Sequence, residues 1–157
     1  MKPSYETHMD DRKKVLIIDD DRLVCNSVAN VARSLGFDSS LAFTLEEGLD
    51  AIRSAPFDVV FLDVRMPDGN GIDILPQVCR NSGSPEVIVI TAYGDPESVE
   101  SALSKGAWDY IEKPFSKADL SQLLKDAILY HESSTLPQAA LDFEKEGILG
   151  HSPGMKR

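Results

Sequence analysis

Asp19, Asp20 and Asp21 stand in a row directly after the apolar run Val15-Leu16-Ile17-Ile18. Asp63 closes a second run, Val59-Val60-Phe61-Leu62. Each run is short, branched and continuous, the pattern of a strand covered on both faces. In an open parallel sheet, sites form outside the carboxyl ends of the strands. If these two strands are neighbours, their terminal carboxylates converge there. Clustered carboxylates without a cation repel one another and raise one another's pKa. With Mg²⁺ between them they make a hard oxygen site suited to phosphoryl chemistry.

Two further strand ends extend the set. Val87-Ile88-Val89-Ile90 ends on Thr91, and Tyr110-Ile111-Glu112 ends on Lys113, which precedes Pro114. A carboxylate cluster, an isolated carboxylate, a hydroxyl and a lysine thus each close a different apolar run. The elements that carry them alternate. Strand signals lie near 14–19, 38–43, 57–63, 86–91 and 108–112, and helix signals near 22–35, 45–54, 72–81, 96–105 and 117–131. Such alternation argues for a doubly wound α/β fold, a parallel sheet with helices on both faces. Thr44-Leu45-Glu46-Glu47 reads as a capping box. Asp95-Pro96 pairs a capping aspartate with a first-turn proline. Ser116 can cap the last helix, and Gly36 and Gly106 fit helix C-termini. Pro76 would cost an internal hydrogen bond in a helix begun at Ile72, so that helix is expected to start late or bend.

The chain resembles the receiver domain of two-component response regulators. The matching residues are Ile18-Asp19-Asp20-Asp21, Asp63-Val64-Arg65-Met66-Pro67, Thr91-Ala92 and Lys113-Pro114-Phe115, in order. The resemblance covers roughly Lys14 to His131. It implies a flavodoxin-like (βα)5 fold with five strands in the order 2-1-3-4-5. It makes Asp63 the phospho-acceptor, with Asp19, Asp20, Asp63 and the Arg65 backbone carbonyl as Mg²⁺ ligands. Lys113 would pair with Asp63 or with a phosphoryl oxygen, and Thr91 would donate its hydroxyl to the attached group. It further implies a cis Lys113-Pro114 bond, and a rotamer switch in which Tyr110 follows Thr91.

Plainer roles stand beside these. Asp21 reads as the cap of the first helix, and Asp19 and Asp20 can form a solvated turn. Asp63 can be a turn residue before Met66-Pro67-Asp68-Gly69, and Lys113 a surface lysine. Tyr110 can be a half-buried strand aromatic. Arg65 can merely snorkel at the site mouth, or shield the phosphoryl group from water. An aspartate-nucleophile phosphohydrolase would carry a second aspartate two positions after Asp63, where this chain has Arg65. The expectation is therefore a switch that assists its own phosphorylation and dephosphorylation, not an enzyme with an external substrate. A module that only binds partners would lack part of the acid set.

The 157 residues suit one domain plus tails, and 42% apolar content suffices for a core. The net charge of −10 opposes nonspecific binding to nucleic acid or acidic membranes. No apolar run approaches the roughly 20 residues of a membrane span, and no apolar segment follows the N-terminus as in a signal peptide. A cytoplasmic protein is expected. Cys25 and Cys79 lack metal or redox spacing and read as small core residues. His8, His131 and His151 read as solvent-exposed.

Residues 1–13 read as a disordered tail, 14–131 as the receiver, and 132–157 as a linker with the start of a further domain. Gly147-Ile148-Leu149-Gly150-His151-Ser152-Pro153-Gly154-Met155-Lys156 is similar to the entry of the AAA+ ATPase domain in nitrogen-regulatory-protein-C-type activators, which work with sigma-54 polymerase. The resemblance implies a sensor histidine kinase as phosphodonor and output through AAA+ and DNA-binding domains outside these residues. A stand-alone receiver is the alternative. The 96–105 helix has a weak stripe of Val99, Ala102 and Leu103. The last helix carries Leu120, Leu123, Leu124, Ala127, Ile128 and Tyr130, more than one core-facing stripe requires. Its excess face, with Ile128 and Tyr130, is expected to build a homodimer together with the 96–105 helix.

Overall fold

The computed structural model of the chain describes residues 12–134. Five parallel strands form one sheet in the order β2-β1-β3-β6-β7: β1 (Lys14–Ile18), β2 (Asp38–Ala42), β3 (Val59–Asp63), β6 (Glu86–Ala92) and β7 (Asp109–Lys113). The remaining strands, β4 (Arg65–Met66) and β5 (Gly69–Asn70), make a small antiparallel hairpin. Counted without that hairpin, the main sheet has the expected order 2-1-3-4-5.

Four α-helices connect the strands, α1 (Arg22–Ser34), α2 (Leu45–Ser54), α3 (Leu75–Cys79) and α4 (Pro96–Ser104), and α5 (Lys117–Ser134) follows the last strand. Alternation along the central strands sorts two cores. Leu16, Ile18, Val60, Leu62, Val87 and Val89 face α2, α3 and α4, while Val15, Ile17, Val59, Phe61, Ile88 and Ile90 face α1 and α5. Burying each such side chain contributes about 1.5–3 kcal/mol. Continuous Val/Ile runs are required because the central strands have no solvent face. At the edge, β2 is instead Asp-Ser-Ser-Leu-Ala, with Ser40 and Leu41 exposed.

The local chemistry of the helix ends fits the residues. Asp21 accepts from the amides of Leu23 and Val24 and so caps α1. Ser116 accepts from the Asp119 amide at the start of α5. Gly36 and Gly106 take positive φ, +87° and +115°, after α1 and α4. Pro76 delays its helix: a 3-10 turn occupies Gly71–Ile74, and α3 begins at Leu75 with the proline in its first turn.

Four expectations need correction. His131 is buried, with Nδ1 3.1 Å from Glu86 Oε2 and Nε2 3.3 Å from Asp58 Oδ1. It ties the last turn of α5 to the amino ends of β3 and β6. Burial pushes the Glu86 carboxyl above its ordinary range, with His131 opposing the shift. Ile128 is also buried, packed among Leu120, Leu124 and Ala127, so it belongs to the core and not to an excess face. The large apolar residues that α5 exposes are Leu129 and Tyr130. The helix runs on to Ser134, past the expected boundary at 131. Finally, Arg12 and Lys13, expected within a disordered tail, make ion pairs to Asp38 (3.0 Å) and Glu132 (3.3 Å). The rest of the expected tail, the linker beyond Ser134 and the 147–156 segment lie outside the described residues.

Candidate phosphoryl-acceptor site

The site forms because four neighbouring strands, β1, β3, β6 and β7, end close together. Ile18 of β1 pairs with Leu62 of β3, which brings Asp19 beside Asp63. Asp63 in turn pairs with Ile90 of β6, and Thr91 follows at once. On the far side, Ala92 pairs with Lys113 of β7. Asp19, Asp20 and Asp63 each present a carboxylate oxygen, all within 4.8 Å of one another. Lys113 Nζ lies 3.3 Å from Asp19 and 3.6 Å from Asp63. Its peptide bond to Pro114 is cis, as expected.

Burial makes this grouping costly. Asp19 is fully buried and Asp63 nearly so, whereas Asp20 is exposed. The Asp63 carboxyl is raised from 3.8 to about 7, first by burial and then by the Asp19 charge, with Lys113 opposing. Burial alone would pull the Lys113 ammonium down. The charges of Asp63 and Asp19 outweigh it and hold the lysine above its ordinary value. Below these groups, Cys25 Sγ donates to the Asp19 carbonyl oxygen at 3.0 Å. Burial and the Asp19 charge push that thiol up to about 12, so it is an inert core group.

Among the described residues, two buried side-chain polar atoms have no hydrogen bond: Asp19 Oδ2 and Thr91 Oγ1. Both belong to the site. Unsatisfied buried groups are rare and costly in folded proteins; Asp19 Oδ2 has the Lys113 ammonium at 3.3 Å, which leaves the Thr91 hydroxyl as the one with neither a hydrogen bond nor an ion pair. Three hard oxygen donors, one from each of Asp19, Asp20 and Asp63, fit a divalent cation of the Mg²⁺ class. Asp19, Asp20 and Asp63 can therefore hold a metal.

The pattern of the response regulator receiver domain family matches residues 15–125. The chain belongs to that family. It is 31% identical over 146 residues to the transcriptional regulatory protein ZraR of Escherichia coli (strain K12), which covers 93% of this chain and 33% of that protein. The chain thus spans about a third of the curated relatives with which it aligns along most of its length. A CheY-like receiver domain protein from Methanospirillum hungatei superposes with a TM-score of 0.74 at 28% identity, over 78% of this chain and 98% of that one. The beryllofluoride-activated NtrC4 receiver domain, solved as a dimer, gives 0.70 at 34% identity, over 75% and 98%.

The receiver's other expected residues lie around this centre with different exposure. Tyr110 is half-buried on β7 and packs against the core on the α2–α4 side. Arg65 is exposed on the hairpin. Its charge helps hold the Asp95 carboxyl low, after the larger effect of hydrogen bonding from Ser98. Sequence reasoning read Asp68 only as part of a turn. Its carboxylate accepts from the amides of Leu45 (2.9 Å) and Glu46 (3.1 Å) at the start of α2. A long-range cap of this kind leaves no periodic signal in the sequence.

The raised Asp63 pKa fixes a pH dependence. A metal requires the ionised carboxylate, and below about pH 7 a proton holds that position. Mg²⁺ affinity is therefore expected to be steady above pH 8 and to fall by about tenfold per unit well below 7. Calorimetric titrations with Mg²⁺ at a series of pH values check this. An affinity unchanged from pH 8 down to 5 would contradict it.

Proposed function

We propose that this receiver accepts a phosphoryl group on Asp63 from a sensor histidine kinase in a Mg²⁺-dependent reaction in the cytoplasm, and relays the change to an output surface. The observation that carries this reading is the juxtaposition of Asp19, Asp20, Asp63 and Lys113, with the buried Thr91 one residue past the β6 position that pairs with Asp63. An oxygen of Asp63 attacks phosphorus. The bond from phosphorus to the donor's imidazole nitrogen breaks, and its electron pair returns to the ring. The product is an acyl phosphate. Such transfers need positioning and charge neutralisation more than covalent help. Bound Mg²⁺, on Asp19, Asp20, Asp63 and the Arg65 carbonyl, would supply charge neutralisation. Lys113 releases Asp63 and pairs with a phosphoryl oxygen as a compact cation. Thr91 gains the acceptor it lacks, and Tyr110 on the adjacent strand follows. Water attack on phosphorus later restores the carboxylate, so no external substrate is turned over.

A protein phosphodonor suits the surface beside the cluster. Leu23, Val24, Pro114 and Phe115 line an apolar groove next to Asp21 and Lys113, and Leu23 is 78% exposed. Incubation with acetyl phosphate and Mg²⁺ should add one phosphoryl group by intact mass, and chelation of the metal should prevent it. An unchanged mass under both conditions would contradict the reading.

The output is proposed to be a homodimer built on α4 and α5, passing its change to a sigma-54-type AAA+ domain and to DNA-binding residues outside this chain. Leu103 on α4 and Leu129 and Tyr130 on α5 are exposed, and α4 buries only Ala102 fully. A helix so lightly anchored shifts at low cost. Leu129→Glu or Tyr130→Glu is expected to raise the dimer dissociation constant by about tenfold or more, the scale of one interface anchor. Ile128→Glu is expected to unfold the domain instead, because that side chain is in the core. Sedimentation of phosphorylated and free forms checks this. Monomers in both states at high micromolar concentration would contradict the interface.

A further inference from the structure

The two loops that would ligate the metal are not adjacent in sequence, and both are fastened to the same short junction. That junction is Phe43–Glu46, where β2 passes into α2. On one side, the Arg22 guanidinium, next to the acid triplet, stacks over the Phe43 ring at 4.0 Å. On the other, both oxygens of Asp68 bind the amides of Leu45 and Glu46. Asp68 lies at the tip of the β4–β5 hairpin, in which Arg65 pairs with Asn70 and Met66 with Gly69. The base of that loop is closed by the Gly71 amide on the Val64 carbonyl oxygen at 2.7 Å.

The helix has its own caps besides Asp68, in a variant of the capping box in which Glu47 reaches one residue beyond the N-cap. Thr44 Oγ1 accepts from the Glu47 amide at 3.0 Å, and Glu47 reaches back to the Phe43 amide at 2.7 Å. Asp68 takes the remaining first-turn amides, Leu45 and Glu46, and it comes from a different loop. The hydrogen bonds to these amides hold its carboxyl below the usual range, so it is ionised at neutral pH. One carboxylate thus neutralises a helix terminus and pins the hairpin that follows Asp63.

We infer that Asp68 is a positioning residue for metal binding: with Arg22 on Phe43, it sets the separation of the Asp19–Asp20 loop and the Asp63–Arg65 loop. This inference rests on the acceptor reading given above and assigns that site a supporting contact. Groups behind metal ligands typically change affinity by about 10–100-fold when removed.

The test compares two caps of one helix. Asp68→Ala removes the link between loops, and Thr44→Ala removes a cap within α2 only. Both are expected to lower the melting temperature. Calorimetric titration of the metal-free chain with Mg²⁺ should show a dissociation constant about tenfold higher for Asp68→Ala and unchanged for Thr44→Ala. Asp68→Asn, which keeps one acceptor oxygen, should fall between. The rate of labelling by acetyl phosphate should recover in Asp68→Ala at saturating Mg²⁺, because the acceptor itself is intact. Equal Mg²⁺ affinities for wild type and Asp68→Ala, or equal losses in both alanine variants, would overturn the positioning role while leaving Asp63 as acceptor. Wild-type protein that binds no Mg²⁺ and takes no label would overturn both readings.

Discussion

Asp63→Asn is expected to abolish phosphoryl uptake and, in metal-free buffer near pH 8, to make the protein more stable than the wild type. The first effect follows because the amide is no longer a carboxylate nucleophile. The second follows from the direction of the pKa shift. The folded-state pKa of Asp63 is raised from 3.8 to about 7, so between these values the folded protein binds more protons than the unfolded chain. Stability must therefore fall as pH rises through that window, and the loss is complete above it. Asparagine has no charge to desolvate beside Asp19 and escapes that loss. The gain is on the order of 1–3 kcal/mol at pH 8, and it should vanish below pH 4. Mg²⁺ should stabilise the wild type, since a ligand that binds only the folded state adds to stability, and should stabilise the variant much less. Thermal melts of both proteins from pH 4 to 8, with and without Mg²⁺, check each statement. A variant less stable than wild type at pH 8 without metal would contradict the electrostatic account.

Gly71→Ala should be the most damaging single-methyl change near the site. A Cβ there would collide with the Asp63 carbonyl oxygen and press on Leu62. The obstacle on one side is backbone, so no rotamer change relieves it, and overpacking of this kind costs about 1–3 kcal/mol or more. The strain falls on the peptide that carries Asp63 and on the bond from the Gly71 amide to Val64. The expected outcome is a melting temperature lower by several degrees, and labelling by acetyl phosphate reduced at least tenfold at a temperature where the variant is still folded. Gly48→Ala is the control. Its Cβ would meet Cδ1 and Cγ1 of the buried Ile18 side chain and no backbone atom, so stability should drop with less change in labelling per folded molecule than in Gly71→Ala.

The site was legible in the sequence because strand pairing brings together whatever closes each apolar run. Asp19, Asp63, Thr91 and Lys113 each follow or end such a run, and a parallel sheet in register aligns them. What remained hidden has physical reasons. The last helix is apolar at 123, 124, 127, 128, 129 and 130, wide enough for more than one phase. The buried phase runs through Leu120, Leu124, Ala127, Ile128 and His131. A histidine in the last turn reads as exposed until Asp58 and Glu86, far away in sequence, are seen to flank it. Asp68 was hidden for a similar reason. Turn chemistry accounts for an aspartate after Met66-Pro67, and nothing in the spacing reveals that its partners are amides 22 and 23 positions earlier.

The family relation fixes the fold and the motifs of the centre, and the proposed uptake of a phosphoryl group on Asp63 is a matter for experiment. Trapping the phosphorylated chain with borohydride tests it most directly. Reduction converts an aspartyl phosphate to homoserine, which peptide mass spectrometry locates at single-residue resolution. Wild-type protein treated with acetyl phosphate and Mg²⁺ should carry homoserine at position 63 and nowhere else, with none in Asp63→Asn. Homoserine at 19 or 20, or a phosphoryl group that resists reduction because it sits on a serine, threonine or histidine, would contradict the assignment of Asp63 as acceptor.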